Sequence, residues 1–327
     1  MKKYFFIIII IPVFLFGQKE NTQFFTHSKS LIHKKKITSV VTDKQGAHWI
    51  GTFSGLICYN GKQGHISTTQ NSKIPSNKIL CIAINQETKY IGTSNGLLVV
   101  KNNKWVVFNT QNSKLPSNKI RKIIVNQGVV WIATSCGLVK YKNDFQTVLS
   151  AKNNTITDDN FISMNIDHNN IVWLGTNTGL YSFKNKIWRF FNIQNSKLPN
   201  NQIQDIMVDG ENKKWIATKT GIATFNENEW GVFNKKNTPF KTNRIRKIAY
   251  DDYDRVWVGT EKGLFSYDGK RWKKHKTQNK KAFITALFVD GFDNKWVSTP
   301  KGTTVYNSEG VEFKHNNLNH NTVLVVK

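Results

Sequence analysis

The chain has 327 residues, enough for two ordinary domains or for one large array of repeats. Its 47 Lys and Arg residues outnumber 21 Asp and Glu, and the formal net charge of +26 favours anionic partners, although solvated lysines are the simpler explanation. An odd number of cysteines and the lack of a Cys/His cluster argue against a disulfide framework and a structural zinc. We therefore expect no cofactor and interpret Cys58, Cys81 and Cys136 as small buried residues.

The chain begins with a basic pair, Lys2 and Lys3, followed by an apolar run from Tyr4 to Phe16. This order, closed by the small residue Gly17, is typical of a secretory signal peptide, and the run is shorter than the roughly 20 residues that span a bilayer. The sequence predicts a signal peptide at residues 1–17, cleaved near Gly17 and Gln18. The mature chain should be periplasmic or secreted, with no transmembrane segment and no contact with genomic nucleic acid.

A short motif recurs along almost all of the remaining chain. It consists of an aromatic residue, an apolar residue, Gly or Ala, and Thr, with a Gly three residues further on, as in Trp49 to Gly55. The seven copies start at Trp49, Tyr90, Trp131, Trp173, Trp215, Trp257 and Trp296, and the last is degraded, with Ser in place of Gly or Ala. Copies at intervals of about forty residues indicate a repeat architecture.

Each repeat contains four short segments with strand character and turn residues between them, and no helical periodicity appears after residue 20. A four-stranded sheet cannot bury both of its faces alone, whereas sheets arranged in a ring cover one another. The sequence therefore predicts an all-β, seven-bladed β-propeller of four-stranded antiparallel blades at residues 37–315. The segments 18–36 and 316–327 each contain a candidate strand that closes the ring.

Nearly the same ten residues join several repeats: QNSKIPSNKI from Gln70, QNSKLPSNKI from Gln111 and QNSKLPNNQI from Gln194. In a propeller this segment connects the outermost strand of one blade to the innermost strand of the next. Every blade needs such a connection, so we interpret the linkers as structural joints and not as binding loops.

The tryptophans fall into two columns. Six open the second strand, and the other four, Trp105, Trp188, Trp230 and Trp272, lie in the fourth. This regularity indicates packing between blades. Asp residues also recur, in the turns that start at Asp43, Asp167, Asp209, Asp251 and Asp290. These turns lack the ligand pattern of a calcium loop, so we expect each Asp to cap its own backbone.

The Asp-containing turn, the Trp-Ile-Gly-Thr motif with its following Gly and the NSxLPSNxI linker together resemble the two-component regulator propeller repeat. The resemblance covers residues 37–315. It implies a propeller with a sensing role, because such repeats usually form the periplasmic part of hybrid histidine kinases and are often tied to polysaccharide sensing. No immunoglobulin-like module or kinase core follows the repeats here, so the resemblance does not imply kinase activity. A separate membrane histidine kinase is one partner that it suggests.

The seven innermost strands can be aligned on an apolar anchor, which is Ile37, Ile79, Ile120, Phe161, Ile203, Ile245 or Ile284. The third residue after the anchor is always apolar, as expected of a core. The second is small or charged, which predicts that this column borders the central channel. The candidate ligand-binding residues at the channel mouth are Lys78, Lys119, Arg121, Lys122, Asp205, Arg244, Arg246 and Lys247. Their charges favour an anion, unless the side chains extend into solvent and bind nothing specific.

We interpret the chain as an exported, non-catalytic recognition or sensor module, with an acidic oligosaccharide as its candidate ligand. One alternative is a scaffold for cell-envelope assembly or secretion that docks an envelope protein. A second is an enzyme similar to the streptogramin lyases, which are also propellers. None of the eight histidines falls in an innermost strand with a carboxylate beside it, so we assign no catalytic and no metal-binding residue. The histidines are His27, His33, His48, His65, His168, His275, His315 and His320.

Overall fold

The computed structural model describes residues 35–60, 63–150, 156, 158–227, 229–277 and 283–306. Within these ranges every regular element is a β-strand, and no helix is long and apolar enough to cross a membrane. The predicted signal peptide, most of segment 18–36 and all of segment 316–327 lie outside the described residues, and so do the two candidate ring-closing strands.

The strands form seven antiparallel sheets. Blades 1 to 3 consist of β1 Ile37–Thr42, β2 His48–Thr52, β3 Gly55–Tyr59 and β4 Gly64–Ser67; β5 Ile79–Asn85, β6 Thr88–Thr93, β7 Gly96–Lys101 and β8 Lys104–Phe108; and β9 Ile120–Asn126, β10 Val129–Thr134, β11 Gly137–Tyr141 and β12 Phe145–Leu149. Blades 4 and 5 consist of β13 Ser163–Ile166, β14 Val172–Gly175, β15 Leu180–Lys184 and β16 Ile187–Phe191; and β17 Ile203–Val208, β18 Lys214–Thr218, β19 Gly221–Asn226 and β20 Glu229–Phe233. Blades 6 and 7 consist of β21 Ile245–Tyr250, β22 Val256–Thr260, β23 Gly263–Tyr267 and β24 Trp272–His275; and β25 Ala286–Val289, β26 Lys295–Thr299 and β27 Gly302–Tyr306.

The sheets stand in a closed ring. Each innermost strand contacts the innermost strand of the next blade, and β25 of blade 7 contacts β1 of blade 1. Each of the seven boundaries holds one apolar cluster, so both faces of every sheet are buried against neighbours. The predicted seven-bladed propeller of four-stranded antiparallel blades is confirmed, and a fourth strand of blade 7 would fall outside the described residues.

The recurring Thr and Gly of the motif are explained by the turn between the second and third strands. The hydroxyl of Thr134 donates to the carbonyl of Gly137 at 2.8 Å, and the same bond is present in all seven blades. Gly137 has φ of +131°, and a Cβ there would lie 2.5 Å from the carbonyl oxygen of Leu149. The turn therefore excludes a side chain at this position.

The three cysteines are free thiols in different environments. Cys81 is buried and Cys58 is half-buried, but Cys136 is exposed. The prediction of a buried residue is therefore wrong for Cys136. The reason is its place in the tight turn before Gly137, outside the strands that form the buried sheet faces.

Candidate anion-binding rim

The recurring linkers are held together by their own polar side chains. Asn112 accepts a hydrogen bond from the amide of Asn109 at 2.8 Å and donates one to the carbonyl of Val107 at 3.0 Å. Three equivalent residues make the same two bonds: Asn71, Asn195 and Asn237. Buried Leu115 fixes the linker to the blades below it. These contacts give the linker asparagines a structural role, because their polar groups are already engaged.

The recurring Asp residues cap the turns between first and second strands. In blade 5, Asp209 accepts a hydrogen bond from the amide of Lys213 at 2.8 Å through Oδ1, and one from the indole of Trp215 at 2.7 Å through Oδ2. The other four make the same bonds: Asp43, Asp167, Asp251 and Asp290. The predicted capping role is confirmed. It also explains why Trp opens the second strand in these blades.

The predicted ligand-binding residues lie at the beginnings of the innermost strands, on the face that carries the linkers. Those of blades 5 and 6 are neutralised by carboxylates. Arg246 lies 3.2 Å from Glu261, and Arg244 lies 3.5 Å from the same side chain. Lys247 lies 3.5 Å from Asp205, whose carboxylate also accepts the backbone amide of Ile248. This part of the ring therefore has little charge left for a ligand.

The predicted cations of blades 2 and 3 are not neutralised in this way. Within the described part of the chain, Lys78, Lys119 and Arg121 have no carboxylate within ion-pair distance. Repulsion from Arg121 lowers the pKa of Lys119, and burial and Lys78 lower it further. The three groups are thus close enough to repel one another, and an anion bound between them would relieve that repulsion.

Arg121 has unused hydrogen-bonding capacity. Its Nη2 donates to the amide oxygen of Asn160 in blade 4 at 3.0 Å, but its buried Nε–H has no partner among the described residues. Burial also lowers the pKa of the Arg121 guanidinium. A carboxylate, sulfate or phosphate oxygen is the acceptor that such a group binds most strongly.

Blade 1 extends the same group of charges. The ring of Phe53 has the ammonium group of Lys36 at 4.5 Å from its centroid and that of Lys78 at 4.8 Å. We call Lys36, Lys78, Lys119 and Arg121 the cationic rim. It combines adjacent positive charges from three blades, two of them held over one aromatic ring, so it can hold an anionic group.

Lys122 and Lys247 are half-exposed, but the small and acidic residues of their column lie differently from the prediction. The column was expected to border the channel, but Ser39, Cys81 and Asp205 are buried against the following blade, where Ser39 accepts the amide of Ile82 at 3.1 Å. The side chain of Cys81 lies over Gly92 of the second strand, which leaves space for it between the blades. Burial raises the pKa of the Cys81 thiol to about 12, and the nearby charge of half-exposed Lys122 opposes that rise.

Sequence comparison of the innermost strands missed Phe53 and Glu261. Both directly follow the Thr of the repeated turn. The amide of Phe53 donates to the carbonyl of Lys36, and the amide of Glu261 donates to that of Arg244, both at 3.2 Å. This backbone bond sets the residue after Thr beside the residue before the anchor. Alignment of these two columns would have found both side chains.

Four histidines belong to the described residues, and they lie in different places. His48 and His65 are in blade 1, His168 is in a turn of blade 4, and His275 is buried in blade 6, where its Nε2 lies 2.8 Å from the hydroxyl of Ser266. Among the described residues, no three or more His, Cys, Asp or Glu side chains are grouped so as to hold a metal ion. The histidines at 27, 33, 315 and 320 lie outside those ranges.

No family model and no curated protein matches this sequence. Solved structures do share the fold. The extracellular domain of BT3049 from B. thetaiotaomicron, described as a candidate hybrid two component system, has a TM-score of 0.70 and 19% identity over 83% of this chain and 40% of that chain. Virginiamycin B lyase from Staphylococcus aureus has a TM-score of 0.66 and 11% identity, covering 83% and 94%. PorZ, a surface component of the type-IX secretion system of Porphyromonas gingivalis, has a TM-score of 0.58 and 14% identity, covering 86% and 48%.

This chain therefore spans less than half of the BT3049 domain and of PorZ. The BT3049 domain fits the resemblance to the two-component regulator propeller repeat. At these identities the similarity shows the fold alone, because one propeller fold carries many functions.

Proposed function

We propose that this protein is an exported, non-catalytic recognition module that binds an acidic oligosaccharide at the cationic rim. The observation that carries the proposal is the cluster of Lys78, Lys119 and Arg121. Among the described residues these cations have no carboxylate partner, and their mutual repulsion lowers the pKa of Lys119. A bound anion supplies the missing counter-charge.

The rim favours a ligand with several anionic groups over a single small anion. Its cations belong to three adjacent blades, and Lys36 and Lys78 both lie over the ring of Phe53. An acidic oligosaccharide carries several carboxylates or sulfates along one chain and can pair with more than one of them. The proposed sensing role is supported by the fold shared with the BT3049 extracellular domain, and the partner that would read out binding is a separate membrane histidine kinase.

Calorimetric titration with tetragalacturonate, at about 0.01 M and about 0.3 M NaCl, tests the proposal. We expect binding at low salt that weakens at high salt, because the Debye length falls from about 30 Å to well under 10 Å. Replacement of Lys78, Lys119 and Arg121 by Ala should weaken binding at least ten-fold.

The matched control removes the same number of charges elsewhere. Lys104, Lys184 and Lys273 are exposed residues of outer strands, and their replacement by Ala should leave binding nearly unchanged. Equal weakening in both triple variants would assign the effect to net charge and overturn the site. Equal binding of neutral galactotetraose, or no binding of tetragalacturonate at low salt, would overturn the proposed function.

A further inference from the structure

The third strand of blade 7 is buried, although no described strand pairs along its outer edge. From Thr303 to Tyr306 in β27, the side chains are only 5%, 6%, 2% and 1% exposed. In blades 1 to 6 every outermost strand has exposed residues, whereas the third strands are mostly buried. β27 thus has the burial of a third strand, which indicates that a fourth strand from outside the described ranges lies against it.

An aromatic residue at the end of the fourth strand buries the tryptophan of the second strand. In blades 4, 5 and 6 the two rings contact each other, at centroid distances of 5.9, 5.4 and 4.4 Å: Phe191 with Trp173, Phe233 with Trp215, and His275 with Trp257. These three indoles are at most 3% exposed. In blades 1 and 3 the fourth strand ends in Ser67 and Leu149, and Trp49 and Trp131 are only half-buried.

The tryptophan of blade 7 is as buried as those three, since Trp296 is 1% exposed. The fourth strand of this blade should therefore also end in an aromatic residue. Residues 311–314, which follow β27 in the chain, do not provide one. A hairpin like that of blade 5, where Phe225 pairs with Trp230, would place Lys314 opposite Thr303 at the end of the strand.

The chain before β1 provides an aromatic residue at the required distance. Phe25 stands twelve residues before the anchor Ile37, as Phe191 stands before Ile203. The described end of this segment enters blade 1 as the other linkers enter their blades, because the carbonyl of Lys36 accepts the amide of the residue after the turn Thr. Linkers come from the outer edge of the preceding blade, and around the ring blade 7 precedes blade 1.

We propose that residues 22–25 form the fourth strand of blade 7, antiparallel to β27, with Phe25 opposite Thr303 and its ring stacked on Trp296. The register follows from blade 5, where Phe233 lies opposite Ile222, the residue after the turn Gly. The first part of the chain is thereby joined to the last blade, and the edge of β27 is covered. This inference does not depend on the proposed function.

Two double-cysteine variants in a Cys136→Ser background distinguish the two segments. Phe24→Cys with Thr304→Cys tests residues 22–25, and Phe313→Cys with Thr304→Cys tests residues 311–314. Directly opposed residues of antiparallel strands lie within disulfide distance. After mild oxidation of the folded protein, peptide mass spectrometry should find the bond between positions 24 and 304 at a yield at least ten-fold above that between 304 and 313.

A second pair of variants tests the aromatic stack without added cysteines. Phe25→Ala should lower the midpoint of thermal unfolding by at least about 3 °C, because it uncovers Trp296, whereas Phe313→Ala should change it by less than about 1 °C. Circular dichroism shows whether all four variants are folded. Absence of the bond between positions 24 and 304, a yield no higher than that between 304 and 313, or equal shifts for the two alanine variants would overturn the proposal.

Discussion

The ammonium nitrogen of Lys214 in blade 5 lies 3.4 Å from Oδ2 of Asp167 in blade 4, and both side chains are almost fully buried. In each such pair the lysine precedes the aromatic residue of the second strand, and the Asp begins the turn of the preceding blade. Two other boundaries have the same arrangement: Lys89 with Asp43 at 3.6 Å, and Lys295 with Asp251 at 3.1 Å. The Asp that caps its own turn thus also accepts a buried lysine from the next blade.

The residue types follow the presence of the acid. Blades 2 and 3 lack the capping Asp. In the blade that follows each of them, the residue before the aromatic residue of the second strand is apolar: Val130 in blade 3 and Val172 in blade 4. This agrees with the high cost of a buried charge that has no partner. The boundary between blades 5 and 6 has the capping Asp but no lysine. Val256 occupies the position in blade 6 from which a lysine would pair with Asp209 of blade 5.

That difference provides a matched pair for measuring the ion pair. Asp167→Asn and Asp209→Asn remove the same charge from the same turn, but only the first leaves a buried lysine, Lys214, without its carboxylate. We expect Asp167→Asn to lower the free energy of unfolding by about 3 kcal/mol more than Asp209→Asn. Urea unfolding followed by circular dichroism measures both, and equal losses would show that the ion pair contributes little.

The linker asparagines should matter for stability and not for binding. Asn195 accepts the amide of Asn192 and donates to the carbonyl of Phe190, so Asn195→Ala leaves both groups without their partner. Water can reach these exposed groups, so we expect a loss of about 0.5–1.5 kcal/mol in the free energy of unfolding. Lys197→Ala, at an exposed residue of the same linker, is the control and should cost less than about 0.5 kcal/mol. A reduced affinity for tetragalacturonate with unchanged stability would contradict the structural role.

In the wild-type protein, we expect Glu261 to weaken anion binding at blade 6. It lies within 3.5 Å of both Arg244 and Arg246, so Glu261→Gln would release two cations at the ring face. We expect two- to five-fold tighter binding of tetragalacturonate at low salt, measured by calorimetry, because exposed ion pairs contribute about 1 kcal/mol or less. Glu229→Gln removes the same charge from an exposed outer strand and should have no such effect. If both variants bind alike, Glu261 does not limit the charge available to the ligand.

Stability should depend on pH through His48. Burial lowers its pKa below 6.5, although the nearby carboxylates of Asp290 and Asp43 oppose this effect. As the pH falls, the unfolded chain takes up a proton at about 6.5, before the folded protein does. The contribution to stability is therefore fully present above pH 6.5 and is lost as the pH falls through the lower pKa of the folded state.

Urea unfolding of wild type and His48→Gln between pH 5 and pH 8 would measure this dependence. We expect the stability difference between the two proteins to shrink as the pH is lowered. His65→Gln, at an exposed histidine of the same blade, is the control. A difference that stays constant over the whole range would mean that His48 does not titrate differently in the folded state.

The cysteines should differ in reactivity. Burial raises the pKa of the Cys81 thiol to about 12 and also raises that of Cys58, whereas Cys136 is exposed. Because the thiolate is the reactive form, we expect iodoacetamide at pH 8 to alkylate Cys136 at least ten-fold faster than Cys81 in the native protein. Peptide mass spectrometry measures both rates. Similar alkylation rates for the two cysteines in the native protein would contradict this assignment.

The fold could be predicted from the residues alone, because its evidence is local and recurs along the chain. The Thr of the motif forms the turn in all seven blades, the linker Asn recurs in four linkers, and the capping Asp bonds to the Trp that follows it in five blades. Gly137, Asn112 and Asp209 each illustrate a requirement that is complete within one repeat. The number of blades then follows from counting.

Which charges remain available could not be predicted from the sequence, because the contacts that neutralise them join residues from different strands and blades. Glu261 comes from a turn and neutralises Arg244 at the start of a strand, whereas no described carboxylate reaches Lys119. The burial of Phe145 likewise depends on Phe108 of the preceding blade, whose ring centroid lies 5.0 Å away. Ring closure sets these distances, and a linear pattern of residue types contains the charges but not the separations that determine their energy.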